Sequence, residues 1–137
     1  MPNLTIYTDG GARGNPGPAG AGAVVYKGKK KIAEVSKFLG ERTNNWAEYE
    51  ALILALEAAR KAVGKTISHA AVNMDSELIV RQMNGMYRVK DSELKAQHIR
   101  ARRIIEESFG NISFTHIPRE KNKEADQLAN DAMDQAR

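Results

Sequence analysis

From Leu4 to Asp9 the chain alternates, Leu4, Ile6 and Thr8 against Thr5, Tyr7 and Asp9, which predicts a β-strand with two different faces. A glycine- and proline-rich stretch, Gly10 to Gly20, follows and is expected to turn the chain at once. Ala21–Lys27 and Lys31–Leu39 then flank Gly28-Lys29-Lys30, two strand-like runs around a short turn that predict an antiparallel hairpin. The period changes after Thr43-Asn44-Asn45, a helix-start signal. From Trp46 to Val63 apolar residues recur at helical spacing (Leu52, Leu56, Ala59, Val63), and Gly64 closes the helix.

Ala70–Met74 reads as a short strand ending at Asp75, and Ser76 caps a helix from Glu77 to Met83 that stops at Asn84-Gly85. A linker over Tyr87–Lys90 leads to Asp91 or Ser92. One of these opens a long helix with an apolar stripe of Leu94, Ile99, Ile104 and Ile105, ending before Gly110. Ile112–His116 is the last strand, broken by Pro118. Arg119-Glu120-Lys121 continues as a loop. Asn122 or Lys123 begins a helix to the C-terminus, with Leu128, Ala132 and Met133 as its inward residues. The order βββαβααβα predicts an α/β fold, a mixed five-stranded sheet with helices on both faces.

At 137 residues the chain is expected to form a single domain, 1–137, with no repeat or linker to divide it. Cysteine is absent, which excludes a disulfide framework, a thiolate metal site and a cysteine nucleophile. The N-terminus has no secretory pattern and no apolar run is long enough to span a bilayer. The expectation is therefore a cytoplasmic protein with no membrane partner. A net charge of +4 and a pI near 9.4 are compatible with a polyanionic partner. With only 6% aromatic residues, base stacking is not expected to dominate recognition.

The acidic residues change the picture. Asp9 ends the first strand, Glu48 sits in the first turn of the first helix, Asp75 ends the fourth strand, and Asp126 lies early in the last helix. Singly, each has a plain explanation. Asp9 and Asp75 suit turns, Asn45 and Glu48 have the spacing of a capping box, and Asp126 favours a helix N-terminus. Jointly, all four fall where strand ends and following helix starts gather on one sheet edge. Four clustered carboxylates repel one another unless a cation neutralises them. Hard oxygen donors without sulfur select Mg²⁺ or Mn²⁺, and two such ions roughly 3.5–4 Å apart suit in-line attack at a phosphodiester. A nucleotide-binding loop at Gly10–Gly22 does not fit, because the Gly-Lys-Ser/Thr ending is missing and Pro16 and Pro18 obstruct the required helix.

Thr8-Asp9-Gly10-Gly11, Gly14-Asn15-Pro16-Gly17, Thr43-Asn44-Asn45-Trp46-Ala47-Glu48, Asp75-Ser76-Glu77 and Asn122-Lys123-Glu124-Ala125-Asp126 resemble the motif series of type 1 ribonuclease H, in order, over essentially the whole chain. The resemblance implies the ribonuclease H-like fold. It also implies endonucleolytic hydrolysis of the RNA strand of RNA–DNA hybrids, leaving 3′-hydroxyl and 5′-phosphate ends. By resemblance Asp9, Glu48, Asp75 and Asp126 hold two Mg²⁺ ions, for which Mn²⁺ substitutes. Gly10, Gly11, Asn15, Asn44, Asn45 and Glu77 are the implied substrate contacts. Small residues and short amides suit a wide minor groove lined with 2′-hydroxyls.

Two departures from the family pattern stand out. Many relatives carry a histidine on the loop before the last acid, whereas here two residues compete. His116 ends the strand run, and Arg119 lies on the loop itself, in a Pro-Arg-Glu form that resembles a subgroup in which arginine stands in. Arginine does not serve as a base near neutrality, but it can stabilise charge on the phosphate. Arg119 is therefore the favoured assistant. No basic protrusion follows Asn84-Gly85, and no separate hybrid-binding domain is expected. Grip on the DNA strand then falls to Arg81, Arg88, Lys90 and Lys95, or to Arg100, Arg102 and Arg103, and a monomer is the default state. The alternatives are an inactive nucleic-acid-binding domain of the same fold, or another nuclease of the superfamily.

Overall fold

The computed structural model describes Asn3 to Gln135. Alternation in the first segment produces β1 (Asn3–Ala12), in which Leu4, Ile6, Thr8 and Gly10 are buried on one face. β2 (Gly17–Lys27) and β3 (Lys30–Arg42) follow as antiparallel neighbours, β2 pairing with β1 and β3 with β2. The helix α1 (Asn44–Val63) starts where the Thr43 hydroxyl accepts the Trp46 amide, and Gly64 ends it in the left-handed conformation. β4 (Ile67–Met74) lies parallel to β1. Ser76 caps α2 (Glu77–Met83), and Asp91 caps α3 (Ser92–Ser108). β5 (Phe109–His116) adds parallel to β4, a 3₁₀ turn covers Arg119–Lys121, and α4 (Lys123–Gln135) completes the order.

The sheet runs β3-β2-β1-β4-β5, the mixed five-stranded arrangement that the element order predicts. Strand alternation assigns the two faces. Leu4 and Ile6 pack with Leu52, Ile53 and Leu56 of α1, and with Ile104 and Ile105 of α3, in the main core. On the other face Gly20 and Gly22 of β2 lie against the backbone of α4. β2 is thus covered on both sides, and this is why Ala19 to Val25 are all buried and mostly small.

Four local expectations change. β1 does not end at Asp9 but continues through Gly10 and Gly11 to Ala12, and β2 begins at Gly17 rather than Ala21. Most of the glycine-rich stretch is therefore strand, with the turn confined to Arg13–Pro16 and the Asn15–Pro16 peptide cis. These glycines let helices approach. A Cβ on Gly10 would lie 2.2 Å from the Ala47 carbonyl oxygen, and one on Gly22 would lie 2.1 Å from that of Ala125. On α3, Ile99 is 49% exposed, and the inward row is Gln97, Ala101, Ile104 and Ile105, because position 99 falls off the face that 97, 101 and 104 define. On α4, Ala125, Ala129, Ala132 and Met133 face the sheet and Leu128 is half-buried. The last two positions of that helix as expected, 136–137, lie outside the described residues.

Candidate active site

Three carboxylates from three elements meet at one sheet edge. β1 delivers Asp9, and β4 delivers Asp75 in the residue after its last pair. The close approach of α1 over Gly10 brings Glu48 down to them. One oxygen from each of Asp9, Glu48 and Asp75 lies within 4.8 Å of the others. The capping box suggested for Asn45 and Glu48 does not form, since the helix starts two residues earlier with Thr43 as its cap. Glu48 is thereby left to the cluster, where the Ser76 side chain hydrogen-bonds it. Ser76 also accepts the Ile79 amide, so one hydroxyl ties the start of α2 to the site.

Asp126 stands at the rim from α4. Its carboxyl shares a hydrogen bond with Asp9, and Arg119 donates to its Oδ1 at 3.3 Å. Burial, then the charge of Asp75, then the bond to Asp126 push the Asp9 carboxyl up to about 9. Burial raises Glu48 to about 7, with Asp75 adding to the shift and Ser76 opposing it. A group of acids that resist ionising together is what a divalent cation relieves. The donors are carboxylate oxygens without sulfur or imidazole, so the residues fit Mg²⁺ or Mn²⁺.

The cluster opens into a cleft of about 550 Å³ that also takes in Gly11, Ala12, Asn44, Asn45 and Arg119. Asn44 Oδ1 accepts the Ala12 amide at 2.8 Å, and Asn15 Oδ1 accepts the Asn44 amide at 3.0 Å. These bonds lock the β1–β2 turn to the start of α1. They leave both side-chain NH₂ groups without a protein partner among the described residues. Asn45 is exposed beside them.

The structure bears on three of the sequence-derived assignments. Gly10 is buried beneath Ala47, so its missing side chain serves helix packing, while its backbone still lines the cleft beside the part-exposed Gly11. Glu77 does not line the cleft. It pairs with Arg81 one turn along at 2.8 Å, and that bond lowers its pKa. His116 is exposed at the end of β5, and its charge falls near Glu77, whereas Arg119 lines the cleft and feels both Asp9 and Asp126.

Asn122 positions the site, a part that the sequence reading did not assign to it beyond a helix start and membership of the Asn122–Asp126 motif. It is 1% exposed and donates from Nδ2 to the Thr8 carbonyl at 2.8 Å, pinning the entry of α4 beside Asp9. Asn130, which donates to the Asp126 carbonyl and lies within reach of Arg13, was likewise hidden. A buried side chain bonding to a strand over a hundred positions away leaves no local signal.

Comparison with known proteins gives this geometry a family. Residues 7–132 match the reverse transcriptase-like family. A ribonuclease H of Desulforamulus reducens is 32% identical over 94% of this chain and 86% of its own length. The chain belongs to the type 1 ribonuclease H family. A ribonuclease HI of Halobacterium salinarum is 44% identical over 95% of this chain and 64% of its own length. The bifunctional protein of Mycobacterium tuberculosis is 46% identical over 97% of the chain, which spans about a third (36%) of that relative. Among solved structures, a ribonuclease H1 in complex with an RNA/DNA hybrid superposes with a TM-score of 0.93 at 50% identity, covering 97% of this chain and 98% of that one. This ribonuclease H chain has, among its described residues, no helix long and apolar enough to cross a membrane.

Proposed function

We propose that this chain is an endoribonuclease that hydrolyses the RNA strand of RNA–DNA hybrids, leaving 3′-hydroxyl and 5′-phosphate ends. It acts as one catalytic domain and a monomer in the cytoplasm. The observation that carries the reading is the convergence of Asp9, Glu48 and Asp75 within 4.8 Å, with Asp126 and Arg119 at the rim of the same cleft. Asp9, Glu48, Asp75 and Asp126 would hold two Mg²⁺ ions, with Mn²⁺ as a substitute. When bound, these ions supply Lewis-acid polarisation of the scissile phosphate and an activated water.

The rest of the work belongs to the chain. The free NH₂ groups of Asn15 and Asn44, with Asn45 and the backbone at Gly11, meet the minor groove, where 2′-hydroxyls distinguish RNA from DNA. The Ser76 hydroxyl holds Glu48 toward Asp75. Arg119, always charged and bonded to Asp126, neutralises charge developing on the phosphate or leaving oxygen. A hybrid bound to a relative 50% identical over nearly the whole chain supports the choice of substrate.

The test is cleavage of an end-labelled hybrid, beside duplex DNA and duplex RNA, with Mg²⁺ or Mn²⁺. The hybrid should be cut at internal positions only with metal present, and Asp75→Asn should lower the rate by about 10²–10⁴-fold. Absence of cleavage with either metal would overturn the enzyme reading, and equal cleavage by the variant would overturn the site.

A further inference from the structure

On the sheet face that carries α4, below the start of that helix, lies a second cavity of about 470 Å³ that shares no lining residue with the carboxylate cleft. Its floor is Thr5 and Tyr7 of β1 with Tyr26 of β2, and Thr5 and Tyr26 are direct cross-strand partners. The two tyrosine rings meet edge to face, with centroids 6.5 Å apart and planes at 86°. Gly28 and Lys29 of the β2–β3 turn close one side. Lys121, Asn122 and the first turn of α4 close the other.

The charges in this cavity are unequal. Glu124 is its one acid, and it is already engaged, by Lys31 at 2.5 Å and by the Tyr26 hydroxyl at 2.5 Å. Lys29 and Lys121 are exposed and have no carboxylate partner among the described residues. An aromatic floor and two uncompensated cations describe a ligand with a flat ring and an anionic end. The volume lies within the range of small-molecule sites, which combine an apolar surface with a few placed polar groups.

We infer that this cavity binds a nucleoside monophosphate, its base against Tyr7 and Tyr26 and its phosphate at Lys29 and Lys121. The ligand is either a free nucleotide or the 5′-phosphorylated end of a single-stranded RNA, since both present the same ring and phosphate. Tyr7 precedes Asp9 by two residues on the same face of β1, so the cavity begins about 7 Å along the strand from the carboxylates. It is a separate site, and it holds whether or not the carboxylate cleft cuts a hybrid.

The experiment is titration calorimetry on the whole chain in EDTA, where no metal-dependent cleavage takes place. The probes are 5′-AMP, adenosine, inorganic phosphate and a 5′-phosphorylated adenylate trimer. AMP should bind saturably, and adenosine and phosphate at least about tenfold more weakly, because each offers only half of the recognised group. The Lys29→Ala/Lys121→Ala variant, altered only at exposed side chains, should weaken AMP by about tenfold or more, and Tyr7→Leu should do likewise. Competition by the trimer identifies a chain end as ligand, and failure to compete identifies the free nucleotide; either agrees with the proposal. It is overturned if AMP does not bind at millimolar concentration, if the double-lysine variant binds it unchanged, or if Arg119→Ala in the other cleft abolishes binding.

Discussion

Asp9 lies half-buried among Asp75, Asp126 and Glu48, and its raised pKa has a definite consequence for stability. A carboxyl at about 9 in the fold and near 3.8 when free favours the folded state at low pH. That contribution is complete below pH 4 and is lost as pH rises toward 9, so the metal-free protein should weaken across this window. Glu48 adds the same sense between its ordinary value of 4.5 and about 7. Asp9→Asn removes the strain, and thermal melts in EDTA at pH 8 should show it more stable by about 1–2 kcal/mol, a trade of stability against function. Mg²⁺ should raise the melting temperature of the wild type and leave Asp9→Asn nearly unmoved, by preferential binding to the fold. At the loop, Arg119→Ala should lower turnover by about 10–100-fold and His116→Ala by less than about twofold, read as single-turnover rates on a hybrid. Full turnover by Arg119→Ala would return the role to His116.

At the scale of elements, two helices owe their positions to glycines in strands. α1 sits over Gly10 and carries Glu48 to Asp9, while α4 sits over Gly20 and Gly22 and carries Asp126. A Cβ on Gly22 would meet the backbone of α4, which has no rotamer to change, so the helix itself must shift. Gly22→Ala should cost about 1–3 kcal/mol of stability in denaturant unfolding. It should also reduce hybrid cleavage in the fraction that remains folded, because Asp126 moves with the helix. The caps at Ser76 and Asp91 were legible in the sequence, since a cap bonds within three residues of itself, whereas α1 is capped by Thr43 and not by the Asn45 of the expected capping box. The inward faces of α3 and α4 were only partly legible. Ile99 is apolar yet exposed and Gln97 is polar yet buried, bonding the Trp46 carbonyl, so hydropathy alone misassigns both.

For the molecule as a whole, grip on a nucleic acid depends on which cations stay free once the chain is folded. Arg81 is held by Glu77, Arg100 by Glu50, and Arg102 by the Met83 carbonyl. Arg88, Lys90, Lys95 and Arg103 are exposed and have no carboxylate partner among the described residues. Asn84–Asp91 joins α2 to α3 without a further helix, so these few cations must serve where a basic protrusion is missing. Hybrid binding should therefore weaken steeply with salt. Arg88→Ala and Lys95→Ala should each reduce the slope of log K against log salt by about one, measured by titration of a labelled hybrid with Ca²⁺ in place of Mg²⁺. A flat salt dependence would remove these residues from the interface.

By itself the sequence determined the order of elements, the hairpin, the caps of α2 and α3 and the placing of Glu48, Asp75 and Asp126 at element ends. Each of these rests on interactions between near neighbours, where period, turn chemistry and capping act. Tertiary structure alone decided that Gly10 and Gly20 belong to strands, that these two and Gly22 lie beneath helices, that Glu77 goes to Arg81, and that Asn122 reaches Thr8. It also decided which cations stay free and that Tyr7 and Tyr26 wall a second cavity. Those outcomes depend on which surfaces meet, and a close approach or a competing partner far along the chain leaves no mark on the local pattern.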